Sequence, residues 1–119
     1  MRYLNLLLGV TMLGFTAVQY NDPDALLWIF YYGVPASCAL LAALRPDLLR
    51  TQPGALLLWA SVPLWLGLVV FYWPQMPGFW RWPVLMAEET AREGMGLMVA
   101  WLTVLVAAFS IRTRTGPPT

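Results

Sequence analysis

The chain has 119 residues, of which 60% are hydrophobic and 11% are charged, and its formal net charge is +1. A soluble domain usually carries about a quarter charged residues, so this composition is typical of a membrane protein. The near-zero charge argues against nucleic acid as a partner. The chain has no His and a single Cys, which removes the commonest metal and haem ligand and excludes an internal disulfide or CxxC pair. We therefore expect no cofactor.

Four apolar segments are long enough to cross a hydrocarbon core, which takes roughly 20 residues. The predicted helices cover about residues 3–20, 25–44, 55–73 and 87–111, with the membrane-spanning part of the last at about 94–111. The sequence thus predicts an all-α fold, an integral membrane four-helix bundle that forms one domain over residues 1–111. We expect the polar tail, residues 112–119, to be disordered.

Positive charge is concentrated on one side of the predicted bundle. The side with both termini and the predicted loop at 45–53 carries Arg2, Arg45, Arg50, Arg112 and Arg114. Nearly all acidic residues lie on the other side. The positive-inside rule places the N and C termini in the cytoplasm and the acidic residues outside. We expect a multi-pass protein, in the cell inner membrane if the source is bacterial, with the lipid bilayer as its surroundings.

Two helices carry rows of small or polar residues at alternating spacings of three and four. In the first helix the row is Asn5, Gly9, Met12, Thr16 and Gln19; in the last helix it is Glu89, Glu93, Gly96, Ala100, Thr103 and Ala107. The remaining large residues of the last helix should cover other faces: Leu97, Trp101, Val104 and Leu105. Small and polar residues favour contacts between helices in lipid, so both rows should face the bundle.

If both rows turn inward, two polar clusters meet at the outer end. The candidate site consists of Gln19, Asn21, Asp22, Asp24, Glu89, Arg92 and Glu93. It could bind a divalent cation or a polar headgroup, or form an internal network between Arg92 and the carboxylates. Oxygen ligands without His or Cys suit Ca²⁺ or Mg²⁺ better than a transition metal.

Helix capping offers a purely structural alternative. Asp22 would be the N-cap of the second helix, with Pro23 and Asp24 in its first turn. Glu88 and Glu89 would favour the N-terminus of the last helix through its dipole. Against this, Glu89 and Glu93 are like charges at i and i+4, a mild penalty unless something neutralises them.

Aromatic residues gather near the same end: Trp28, Tyr31, Tyr32, Tyr72, Trp73, Trp80 and Trp82. They are typical of an interfacial belt, although an aromatic cage for a cation is an alternative. The segment at 79–86 should lie along the interface as a short amphipathic stretch.

Pro35 and Pro63 lie inside helices, where neighbouring helices can satisfy the carbonyls that they free. Trp59 and Trp65 could face a partner or lipid.

Two motifs resemble a known family. The stretch QYNDPD at 19–24, followed by Trp28 and Tyr31, is similar to the first hairpin of the transmembrane protein 220 family. The stretch EETARE at 88–93, followed by Gly96 and Trp101, resembles the last helix of that family. The resemblance covers nearly the whole chain and implies a small polytopic membrane protein. It implies no reaction.

Three functions fit the sequence. The first is a non-enzymatic structural, assembly or partner-binding subunit, with a membrane-protein partner or as a homo-oligomer. The second is a small protein that binds or transports a cation or a headgroup; no acidic residue lies within a span, which argues against proton coupling. The third is a membrane enzyme acting on a polar head, although no nucleophile–base pair is evident.

Overall fold

The computed structural model describes residues 2–21, 24–73 and 77–113. Its elements are α1 (Arg2–Ala17), a 3-10 turn (Val18–Asn21), α2 (Ala25–Leu44), α3 (Pro46–Arg50), α4 (Gly54–Phe71), α5 (Trp82–Ala87) and α6 (Glu89–Thr113). No strand occurs among these residues, so the all-α fold is confirmed for the described chain.

Three helices are long and apolar enough to cross a membrane, over Ala25–Leu44, Gly54–Phe71 and Ala91–Arg112. At 16 residues, α1 is shorter than these three. The expected polar loop at 45–53 contains α3, whose Leu49 is fully buried, so the prediction of a plain loop is wrong there. Residues 114–119 of the expected tail lie outside the described part of the chain.

The helices α2 and α6 form the centre of the bundle. α1 packs against both of them, and α4 packs chiefly against α6. Buried residues form two apolar cores along the bundle, one around Trp28, Tyr32 and Leu97 and one around Leu49, Leu58 and Ile111. We call the end next to the first core the acidic end. The opposite end, where α3 lies, is called the arginine end.

The inward faces of α1 and α6 agree with the predicted rows. The buried residues of α1 are Asn5, Gly9 and Met12. In α6 the row from Gly96 to Ala107 is buried. Leu97 and Val104, which lie on other faces of α6, are fully buried as well. The reason is that α6 contacts three other long helices, which cover more than one of its faces.

At Gly96 the backbone of α6 lies against the Tyr32 side chain of α2. A Cβ placed on Gly96 would overlap the hydroxyl and ring of Tyr32. Glycine is therefore required at this position to let a large aromatic side chain of α2 lie against the backbone of α6.

A proline in α2 is compensated by a tryptophan of α4. Pro35 has no N–H, so the carbonyl of Tyr31, four residues earlier, loses its helical donor. The indole Nε1 of Trp65 donates to this carbonyl at 2.8 Å. Trp65 is 2% exposed, so the expectation that it faces a partner or lipid is wrong, whereas Trp59 is 44% exposed. The bond satisfies the Tyr31 carbonyl, which would otherwise lack a hydrogen bond in apolar surroundings and cost free energy.

Other polar groups inside the bundle also have partners. Asn5 Nδ2 donates to Ser110 Oγ at 2.8 Å, which joins the start of α1 to the end of α6. The indole Nε1 of Trp101 donates to the carbonyl of Val62 at 3.0 Å, joining α6 to α4. The Thr103 hydroxyl donates to the carbonyl four residues before it, as hydroxyls of helices in apolar surroundings commonly do.

We expect Gly96→Ala to lower the free energy of unfolding by about 1–3 kcal/mol, because the new methyl group overlaps Tyr32. The measurement is thermal or denaturant unfolding in detergent micelles. Gly14→Ala in α1 is the matched control, because a Cβ there meets nothing within 4 Å. It should leave stability unchanged or raise it by up to about 1 kcal/mol through helix propensity. Equal effects of both variants would contradict the close approach of α6 to α2.

The bond from Trp65 to Tyr31 can be tested by a double-mutant cycle. Trp65→Phe should cost about 1–3 kcal/mol, because the part-buried Tyr31 carbonyl loses its donor. In a Pro35→Ala background, the helix supplies its own N–H, so the same substitution should cost less. The difference is read from unfolding midpoints of the four proteins. Strict additivity would show that the indole does not serve the carbonyl freed by Pro35.

Candidate functional site

A cavity of about 270 Å³ opens at the acidic end between the 3-10 turn, α2 and α6. Of the predicted site residues, those that line it are Gln19, Glu89, Arg92 and Glu93. The 3-10 turn contributes Gln19, and the first two turns of α6 contribute the three charged residues. We call this space the mouth cavity. Two motifs that lie about 70 residues apart in the chain thus meet at one opening.

The other predicted site residues are Asn21, Asp22 and Asp24. Asp24 is exposed and immediately precedes α2, without a side-chain capping bond. Asp22 lies outside the described residues, and so does the side chain of Asn21. Because α2 begins at Ala25, the interpretation of Asp22 as its N-cap with Asp24 in its first turn is wrong. The helix α2 covers the predicted range 25–44, and the residue directly before it is Asp24.

Part of the role of Gln19 is structural. Its Nε2 donates to the carbonyl of Phe15 at 3.1 Å. The α-helix ends at Ala17 and gives way to the 3-10 turn, so carbonyls in its last turn need new donors. This bond holds the Gln19 side chain close to the end of α1, beside the cavity.

The floor of the mouth cavity is aromatic. Trp28 and Tyr32 line it, with ring centroids 5.6 Å apart, and they are 2% and 5% exposed. The prediction that these two residues belong to an interfacial belt is therefore wrong, since a belt residue faces lipid and water. Trp73, Trp80 and Trp82 are exposed and remain compatible with a belt.

A signal for this floor is present in α2. Spacings of three and four residues lead from Trp28 and Tyr32 to Ala36, Ala39 and Ala43. All five are buried. This is the same kind of inward row as those of α1 and α6, and recognising it would have placed the two aromatic residues inside the bundle.

Tyr72, just after α4, connects the two acidic motifs electrostatically. A hydrogen bond with Tyr31 is the largest cause that raises the pKa of Tyr72 to about 12, followed by burial. The negative charges of Glu93 and Asp24 raise this pKa further. Carboxylates from the first hairpin and from α6 therefore act on one hydroxyl. Ring contacts of 5.3 Å with Trp28 and 5.8 Å with Tyr31 join Tyr72 to the floor.

An apolar groove of about 380 Å³ continues from the mouth cavity between α1 and α6. The groove shares four lining residues with the cavity: Val18, Gln19, Tyr32 and Arg92. Beyond them its walls include Phe15, Met95 and Val99. Polar lining at the mouth thus passes directly into apolar lining.

The described part of the chain contains no group of three or more His, Cys, Asp or Glu side chains placed to hold a metal ion. The acidic residues of the mouth cavity, Glu89 and Glu93, share its wall with the guanidinium of Arg92. The arrangement combines a cation, two carboxylates, an amide and aromatic rings.

The outer surface of the bundle is strongly apolar. Large side chains on α2 and α4 are widely exposed, among them Leu26 at 85%, Val70 at 67% and Phe71 at 79%. Such a surface is unfavourable in water, and three of the helices are long and apolar enough to span a bilayer. The fold therefore defines a helical integral membrane protein.

The family model described as transmembrane family 220, helix, matches residues 11–109. The chain belongs to this family, which confirms the resemblance seen in its two motifs. No curated protein matches the chain, and no solved structure matches it.

The Tyr72 pKa tests whether the acidic motifs converge. Tyr31→Phe should lower this pKa most, because the hydrogen bond is its largest cause, and Glu93→Gln and Asp24→Asn should each lower it less. The raised pKa adds stability below pH 10, and this contribution is lost as the pH rises from 10 to about 12. The pKa is measured by NMR titration of ¹³C-labelled tyrosine in detergent.

Glu88→Gln is the matched control for this titration, because Glu88 is exposed and does not line the mouth cavity. It should leave the Tyr72 pKa unchanged. A Tyr72 pKa that is unchanged in both Glu93→Gln and Asp24→Asn would show that these carboxylates do not interact with the Tyr72 hydroxyl.

Proposed function

We propose that the chain crosses the membrane four times, with α1 and the 3-10 turn as the fourth span. The 16 residues of α1 rise about 24 Å and the 4 residues of the turn about 8 Å. Together they match or slightly exceed the hydrocarbon thickness of about 30 Å. Close packing of α1 against α2 and α6 supports the same assignment.

Both termini then lie in the cytoplasm, at the arginine end. The bond between Asn5 and Ser110 joins the first turns of α1 to the last turns of α6, which supports a shared side for the termini. Asp47, the acidic residue at this end, pairs with Arg45 at 3.1 Å. The mouth cavity opens on the opposite face, which is periplasmic if the source is bacterial.

The protein is a non-enzymatic binding protein for an amphiphilic molecule. The head of the ligand occupies the mouth cavity, and its apolar chain lies in the groove between α1 and α6. The observation that carries this proposal is the continuity of the two spaces, which share four lining residues. A ligand for such a site needs a polar head joined directly to an apolar chain.

The alternatives are less well supported. The role of a structural or assembly subunit stays a prediction, because such a role does not require the mouth cavity. For an enzyme, the described lining of the mouth cavity would have to supply a nucleophile with its base. Cys38 instead belongs to the core beside α3, and the Ser37 hydroxyl donates to the carbonyl of Gly33 at 2.9 Å.

We expect a lipid to remain bound when the protein is purified in mild detergent, and Val99→Trp to reduce its retention strongly. Val99 lines the groove, so the larger side chain fills the space of the apolar chain. Native mass spectrometry measures the fraction of protein that carries lipid. Photo-crosslinking with a diazirine-tailed lipid should label the groove walls, including Met95.

Leu102→Trp is the matched control, because Leu102 is 51% exposed on the same helix and does not line the groove. It should leave lipid retention unchanged. Unfolding temperatures of both variants establish that they fold. Equal retention by the wild type and by folded Val99→Trp, with labelling spread evenly over the lipid-facing surface, would contradict the proposed site.

A further inference from the structure

The lining of the two spaces changes chemistry along one direction. Trp28, Glu89 and Glu93 line the mouth cavity alone. Gln19 and Arg92 line both the cavity and the groove. The acidic groups and the Trp28 ring therefore line the mouth cavity, and a guanidinium and an amide lie where the cavity meets the groove. Apolar side chains line the groove beyond them.

The mouth cavity favours a cation. Its charged lining residues are Glu89, Arg92 and Glu93, which leave one net negative charge. Beneath them, the buried rings of Trp28 and Tyr32 form the floor. Carboxylates beside aromatic rings are the surroundings that bind ammonium and quaternary ammonium groups through charge and cation–π attraction. A wholly anionic head would add charge of the same sign and be disfavoured.

Arg92 stands where the phosphate of a phospholipid would lie. In such a lipid the phosphate joins the head to the apolar chains, and Arg92 occupies the junction between cavity and groove. Along α6, Glu89 lies three residues before Arg92, about 4.5 Å along the helix axis, which matches a short linker between amine and phosphate. A guanidinium binds phosphate oxygens well through its paired N–H donors.

We propose that the ligand is a zwitterionic phospholipid with an amine or quaternary ammonium headgroup. The amine lies over the rings of Trp28 and Tyr32 beside Glu89 and Glu93. The phosphate meets Arg92, and an acyl chain follows the groove past Val99. This inference rests on the proposed function, since it identifies the class of amphiphile that the same site accepts.

The test is competition between two lipids with identical acyl chains, phosphatidylethanolamine and phosphatidylglycerol, mixed at equal amounts with the detergent-purified protein. Native mass spectrometry measures the ratio of the two bound species. We expect about tenfold enrichment of the zwitterionic lipid. Tenfold corresponds to 1.4 kcal/mol, between the values for exposed and desolvated cation–π contacts.

The double variant Glu89→Gln/Glu93→Gln should still retain lipid but lose this preference. Glu88→Gln should keep it, because Glu88 does not line the cavity. Each variant is first checked for folding by its unfolding temperature. Retention without preference in the wild type, or full preference in the folded double variant, would overturn the headgroup assignment while leaving the proposed function in place. Absence of retained lipid in the wild type would overturn both.

Discussion

The contact between the Tyr32 side chain of α2 and the α6 backbone at Gly96 helps to determine where the charged turns of α6 lie. Because residue 96 is a glycine, the Tyr32 ring lies directly against the backbone of α6. The residues one turn earlier, Arg92 and Glu93, are thereby held above the aromatic side chains of α2. A side chain at position 96 would overlap Tyr32, so the Tyr32 ring, which lines the mouth cavity, or the helices would have to shift.

A second constraint acts on the backbone itself. In a bilayer, water cannot satisfy a carbonyl whose helical donor is missing, so a partner must come from another helix. The proline of α2 creates such a carbonyl at Tyr31, and the indole of Trp65 supplies the partner. The bond fixes α4 against α2 directly below Tyr72, the residue on which both acidic motifs act. A helix-weakening residue has thus become a point of attachment between helices.

The aromatic residues at the acidic end divide into two sets with different physical roles. The exposed tryptophans, such as Trp80 and Trp82, remain compatible with the predicted interfacial belt. Trp28 and Tyr32 are buried under the carboxylates and give the cavity an apolar, polarisable floor. In the function proposed above, the carboxylates and this floor select the headgroup by its charge, and the groove beside them holds the apolar chain.

Much of the architecture follows from the sequence alone. The length of the apolar segments predicts the helices, because a helix pairs its backbone polar groups locally when the surroundings are apolar. The alternation of small residues identified the inward faces of α1 and α6, since small side chains matter only where backbones approach. Composition and the motifs around Asp24 and Glu93 sufficed for the family.

The tertiary structure decided features that the periodicity of the sequence does not indicate. Whether Trp28 belongs to a belt or a floor depends on which helix covers it, and a single helix pattern has no information about its neighbours. The donor for the Tyr31 carbonyl comes from 34 residues away, and nothing local to either residue indicates the pairing. Capping preference favoured Asp22 as the N-cap of α2, whereas the helix begins at Ala25, directly after Asp24. The joining of cavity and groove depends in the same way on the spacing between helices, a distance that only the assembled bundle defines.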